Sequence, residues 1–141
     1  MSTAEPRGIP CAGLDDAFRA EETRKSNLLL EGQLLDAQGQ FDTAAEKYAT
    51  AAGIEEQLAV RCRELGLREK AWLHHRSAVG CWARAGNFYT ALRLGDELLA
   101  DPDLTEQLRR HVQAFVDTVR ARRRECIERV PAVEAGERVP A

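Results

Sequence analysis

"GQFDTAAEKYATA", residues 39–51, decides how this chain is read. A glycine is followed by an aromatic residue, and Ala44, Tyr48 and Ala51 then recur four and three residues apart, the interval that stacks side chains on one helical face. A glycine just ahead of such a pattern marks the end of a preceding helix, because it takes the left-handed conformation that other residues resist. Gly39 therefore closes one helix and the stretch opens the next, with Asp42 as the expected cap. "GNFYTA", residues 86–91, matches the first six residues at Gly, Phe, Thr and Ala. Two copies at helix boundaries point to a repeated helical hairpin.

Working outward from the two copies, the rest of the chain divides into helices and short breaks. Leu28, Leu29, Leu34 and Leu35 lie near one face of a first helix, expected from Leu14 to about Gln38. The second runs to Leu65, with Gly53 as a weak point, and stops at Gly66. A third, from Arg68 to Ala85, carries Trp72, Val79 and Trp82 on one side; a fourth ends at Ala100. "DPDL", residues 101–104, is a turn whose Asp103 is expected to cap a fifth helix, from Leu104 to Arg124 or beyond, with Leu108, Val112, Phe115 and Val119 at spacings of four, three and four. No segment reads as a strand. The expectation is an all-α chain of about five antiparallel helices: an arm at 1–13, a helical domain at 14–125 and a flexible tail at 126–141.

Composition narrows the function classes. A 141-residue chain with 44% hydrophobic residues fits one domain, and 30% charged residues with a net charge of −3 fits a soluble one. No stretch approaches the roughly 20 apolar residues of a membrane helix, and "MSTAEPRGIPCAG" lacks the apolar centre of a secretion signal, so the expected location is cytoplasmic with no membrane partner. Cys11, Cys62, Cys81 and Cys126 include no CxxC pair and read as reduced thiols. His74 and His75 project about 100° apart on one helix and do not readily share an ion, so no metal or other cofactor is expected. The chain carries no phosphate loop, nucleophile elbow or Cys–His spacing of known logic, which argues against an enzyme. The acidic pairs Asp15–Asp16, Glu21–Glu22 and Glu55–Glu56 read as solvated charge.

The residues around the two copies resemble the tetratricopeptide repeat, over residues 25–118. Gly32 stands at the small position of a first helix; Gly39 and Phe41 sit at the turn; Ala44, Tyr48 and Ala51 take the small, aromatic and small positions of a second helix. The second copy keeps Gly86, Phe88 and Ala91, but has Val79 where the first helix takes a small residue and Gly95 where the second takes an aromatic, with Gly80 as a neighbouring compensation. The copies begin at 39 and 86, farther apart than the roughly 34 residues of a regular array, and helix 5 takes the part of a terminal cap.

The resemblance implies a non-enzymatic scaffold or adaptor, here of a bacterial cytoplasm, that holds a protein or peptide partner on the concave side formed by the first helix of each pair. Carrying over the family's groove-facing positions gives Leu29, Gln33 and Asp36 from helix 1, Arg76 and Arg84 from helix 3, and Gln107 and Arg110 from helix 5. Three arginines on one groove favour an acidic segment or a C-terminal carboxylate. The family's carboxylate-binding set of Lys and Asn is not reproduced. The alternative is a nucleic-acid-associated accessory subunit using "RARRRE", residues 120–125; the acidic net charge and the lack of interleaved aromatics argue against it. Self-association through Val112, Phe115 and Val119 is a third reading, making a homo-oligomer.

Overall fold

Three of the four interhelical links are the same three-residue device. In a computed structural model that describes residues 13–137, with side chains through residue 129, five helices and no strand appear among the described residues: α1 Asp16–Ala37, α2 Phe41–Glu64, α3 Arg68–Arg84, α4 Phe88–Leu99 and α5 Glu106–Glu137. The fold is all-α, as expected. At each of the first three links a glycine takes a left-handed φ: Gly39 at 76°, Gly66 at 74° and Gly86 at 81°. The glycine amide donates three residues back (Gly39 to Asp36, Gly66 to Arg63, Gly86 to Ala83, each 3.0 Å), and the next amide donates five back (Gln40 to Leu35, Leu67 to Cys62, Asn87 to Trp82). This double closure satisfies carbonyls that a helix end leaves open. The residue after the glycine then starts the next helix from nearly one conformation, φ/ψ −91°/68°, −87°/72° and −89°/75°.

An alanine five residues after each of those glycines packs against the core. Ala44, Ala71 and Ala91 are all buried. The motif is therefore Gly-x4-Ala at every one of these turns, and "GLREKA", residues 66–71, is a third copy that lacks the aromatic of the other two. Because the link sets where each helix begins, Asp42 lies inside the first turn of α2 and is not its cap; Gln40 takes that place without a side-chain bond. The fourth link differs. Asp101 accepts from the Asp103 amide (2.9 Å) and from the Trp72 indole (2.9 Å), tying the turn to α3. Thr105, not Asp103, caps α5 through the Leu108 amide; Asp103 pairs with Arg68 at 3.2 Å. Arg109 donates to the carbonyls of Leu99 and Asp101, closing the end of α4 from the neighbouring helix.

Each helix packs chiefly on the helix before and after it in sequence. The largest cluster joins α3, α4 and α5 through Trp72, Val79, Leu92, Leu98, Val112 and Val116. A second joins α1, α2 and α3 through Phe18, Ile54, Leu58 and Cys62. Gly32 packs directly against Tyr48: a Cβ on Gly32 would lie 2.8 Å from the Tyr48 ring. The second copy inverts it at the same interval along the chain. Val79 is the large member, and Gly95 leaves room for Val116 of α5, whose methyl would stand 2.6 Å from a Cβ there. Val116 therefore supplies the volume that the expected aromatic would have filled. Gly80 compensates for nothing, since a Cβ on it would meet no atom within 4 Å.

The arm expected at 1–13 falls, apart from Gly13, outside the described residues. Helix α5 continues past Arg124 to Glu137, so residues 126–137 of the expected tail are helical and 138–141 lie outside the described residues. No helix among the described residues is long and apolar enough to cross a membrane.

Candidate functional site

The odd-numbered helices enclose a hollow of about 500 Å³. Its floor is apolar: Leu29 of α1, Val79, Gly80 and Ala83 of α3, Phe88 of α4, and Val112, Phe115 and Val119 of α5. Arg76, Arg84, His111 and Arg122 stand around it, and no carboxylate lines it. A smaller hollow of about 350 Å³ shares Arg76 and His111 and continues between the two helices to Glu69, Trp72, Thr105 and Gln107. In both hollows ascending numbers on α3 meet ascending numbers on α5, so the two helices run parallel and the hollows form one groove along them.

Of the seven groove residues expected from sequence, four line it. Leu29, Arg76 and Arg84 meet in the larger hollow, and Arg76 and Gln107 in the smaller. Gln33 is exposed on α1 and lines neither. Asp36 is occupied elsewhere, accepting from the Tyr48 hydroxyl at 3.0 Å. Burial and that bond raise the Tyr48 phenol above its ordinary value. Arg110 is exposed beside Glu106 and lines neither hollow. The groove stripe of α5 is Gln107, His111, Phe115, Thr118 and Arg122; at 100° per residue Arg110 projects roughly 100° away from the middle of that stripe. The stripe follows from advancing four, four, three and four from Gln107, a pattern the carried-over register does not contain.

The rim cations differ in their partners. Arg84 lies over the Tyr48 ring at 5.8 Å, and neither it nor Arg76 nor Arg122 has a carboxylate within ion-pair distance among the described residues. The arginine run of α5 divides. Arg120 reaches back to Asp96 of α4 with one nitrogen on both oxygens (3.0 and 3.1 Å), Arg122 turns to the groove, and Arg123 and Arg124 are exposed. Phe115 is 39% exposed on the groove wall, whereas Val112 and Val119 are buried against α3 and α4, which removes two of the three residues expected to self-associate.

Behind the groove, charged side chains link α1, α2 and α3. Glu55 is fully buried: Oε1 lies 3.5 Å from Lys25 Nζ and 3.1 Å from His74 Nδ1. His74 Nε2 continues to Glu22 (3.5 Å), which also meets Lys70 (3.3 Å). Glu55 Oε2 is buried without a partner. Phe18 closes this cluster edge-on to His74. Glu55 and Glu22 are thus not solvated charge; local pattern cannot reveal partners drawn from three helices. Glu56 accepts from the Trp82 indole at 2.8 Å, and Asp15 caps α1 through the Phe18 amide. Nearby Cys81 is buried, which with the Glu55 charge pushes its thiol up to about 11. His75 faces α4, its Nε2 2.8 Å from the Leu94 carbonyl, and burial lowers its pKa. The two histidines thus serve different neighbours, and no group of three metal-ligating side chains occurs among the described residues.

Comparison of the chain with family models, with curated proteins and with solved structures finds no match.

Proposed function

We propose that the chain is a short tetratricopeptide-like array that works as a non-enzymatic scaffold or adaptor, holding a protein or peptide partner in the groove of α1, α3 and α5. One observation carries the reading: the 500 Å³ hollow has an apolar floor and a rim of cations with no carboxylate among its lining residues. An exposed concavity of that composition is what a recognition surface needs, since burial of the floor supplies affinity and the rim supplies selectivity. The buried Glu55–His74 contact supports no competing catalytic reading, because both groups are consumed in pairing three helices and neither lines either of these hollows. The nucleic-acid alternative loses support from the division of the arginine run among α4, the groove and solvent.

The test places a photo-crosslinking residue at position 115, on the groove wall, or at position 113, on the opposite side of α5, in cells of the native host. A discrete protein adduct from 115 and none from 113 is the expected result. Equal adducts from both positions, or none from 115, would refute the groove assignment.

A further inference from the structure

We infer, building on that groove reading, that its occupant is an acidic amphipathic helix crossing α3 at Gly80. The glycine is the first observation. A glycine inside a helix weakens it, and Gly32 and Gly95 have a packing reason, since Tyr48 and Val116 occupy the space a Cβ would fill. Gly80 has none within the fold, yet it lies in the groove floor, where a missing side chain lets another backbone come close. Gly53 is equally open but lines neither hollow, which makes it the matched control.

The chemistry of the floor selects a helix over an extended segment. An extended peptide brings amides and carbonyls that need partners once buried, and the backbone groups of α3 and α5 are already committed within those helices. Ser77 and Thr118 are the only neutral hydroxyl side chains around the larger hollow. A helix satisfies its own backbone and needs only an apolar stripe to cover Leu29, Val79 and Phe115. From the Glu69 end to the Arg84 end, α3 rises roughly 22 Å at 1.5 Å per residue, the span of about 16 helical residues. The charge of the occupant follows from Arg76, Arg84 and Arg122, which have no carboxylate within ion-pair distance in the fold.

The probe is a displayed library of random 16-residue peptides, selected on the full chain and counter-selected on Gly80→Leu. Enriched peptides are expected to be net negative, with apolar residues at i, i+3, i+4 and i+7. One such peptide should bind at least tenfold more weakly to Gly80→Leu and to the Arg76→Ala/Arg84→Ala/Arg122→Ala variant, and with unchanged affinity to Gly53→Leu; circular dichroism checks that each variant folds. Neutral or basic winners, acidic winners without helical period, no enrichment, or binding indifferent to Gly80→Leu would each overturn the inference. Should the library fail while the adduct at 115 persists, the occupant is wrong and the groove stands; loss of both removes the groove reading as well.

Discussion

One glycine interrupts each of α1 to α4, and substituting each by alanine separates packing from propensity. Gly→Ala at an open helix position gains about 1 kcal/mol, because alanine is the better helix former. Gly53 and Gly80, where a Cβ meets nothing within 4 Å, should show that gain. At Gly32 the same Cβ stands 2.8 and 2.9 Å from two carbons of the Tyr48 ring, well inside ordinary contact. The ring cannot easily retreat: Tyr48 is 2% exposed and its hydroxyl is bonded to Asp36. Overpacking of this kind costs about 1–3 kcal/mol. Set against the propensity gain, Gly32→Ala should come out roughly 0–2 kcal/mol less stable than the parent, and therefore about 1–3 kcal/mol below Gly80→Ala. Urea unfolding followed by the fluorescence of Trp72 and Trp82 measures the difference, and thermal midpoints should separate by about 4 °C per kcal/mol. In a Tyr48→Ala background the obstruction is gone, so Gly32→Ala should become stabilising. If Gly32→Ala is as stable as Gly80→Ala in the parent chain, the close approach of α1 and α2 does not determine that position and the argument collapses.

The remaining expectations concern neighbouring features. Gly95→Ala should destabilise through its clash with Val116, and Val116→Ala, itself costing about 2 kcal/mol, should cancel that penalty in a double-mutant cycle; additive losses would contradict the size exchange. Lys25→Met leaves Glu55 buried without its ammonium partner and should cost about 3 kcal/mol, much of it recovered by Lys25→Met/Glu55→Met; a loss under 1 kcal/mol by chemical denaturation would show the pair to be dispensable. Burial holds His75 neutral in the fold while the unfolded chain takes up a proton near 6.5, so its contribution is present above that pH and lost as pH falls through 6.5 towards the lowered folded value. The urea midpoint should accordingly drop less between pH 7.5 and 5.5 for His75→Gln than for the parent; equal drops would exclude His75 as a source. In a Cys11→Ser background an alkylating reagent should modify exposed Cys126 first and reach buried Cys62 and Cys81 only on unfolding, as mass spectrometry over time would show; early loss of the Cys81 thiol would mean that α2 and α3 open locally.

What could be read from sequence was whatever is encoded locally. Gly39, Gly66 and Gly86 announce the helix ends because the left-handed conformation is a property of the single residue, and Gly32 was legible as a small packing position because α1 and α2 form one hairpin, although its neighbour is the Tyr48 ring. "GLREKA" escaped as a copy because Leu67 and Arg68 stand where the others have a polar residue and Phe; the buried alanine, not the aromatic, is what the three turns share. The inverted pair Val79–Gly95 was unreadable, since its third member, Val116, comes from another hairpin. The same holds for Glu55, whose neighbours Lys25 and His74 lie on two other helices. In the groove, Arg76 and Arg84 line the larger hollow, as a register carried from the first copy to α3 places them. Arg110 was not, because the longer Asp101–Thr105 link rotates α5 relative to any register carried forward from the glycine turns.

Those glycine turns also govern how the chain responds to tension. Helices that touch chiefly their sequence neighbours share load in series, so a pull on the two ends is borne by one interface at a time. The α5 end is the weaker grip: among its described side chains α5 buries only Val112, Val116 and Val119, and it packs on α4 more sparsely than α1 packs on α2. Under force α5 should detach first as a single step, with Arg120 leaving Asp96 as its latch, and the extension trace should then show a pause before the tighter α2–α3 interface parts.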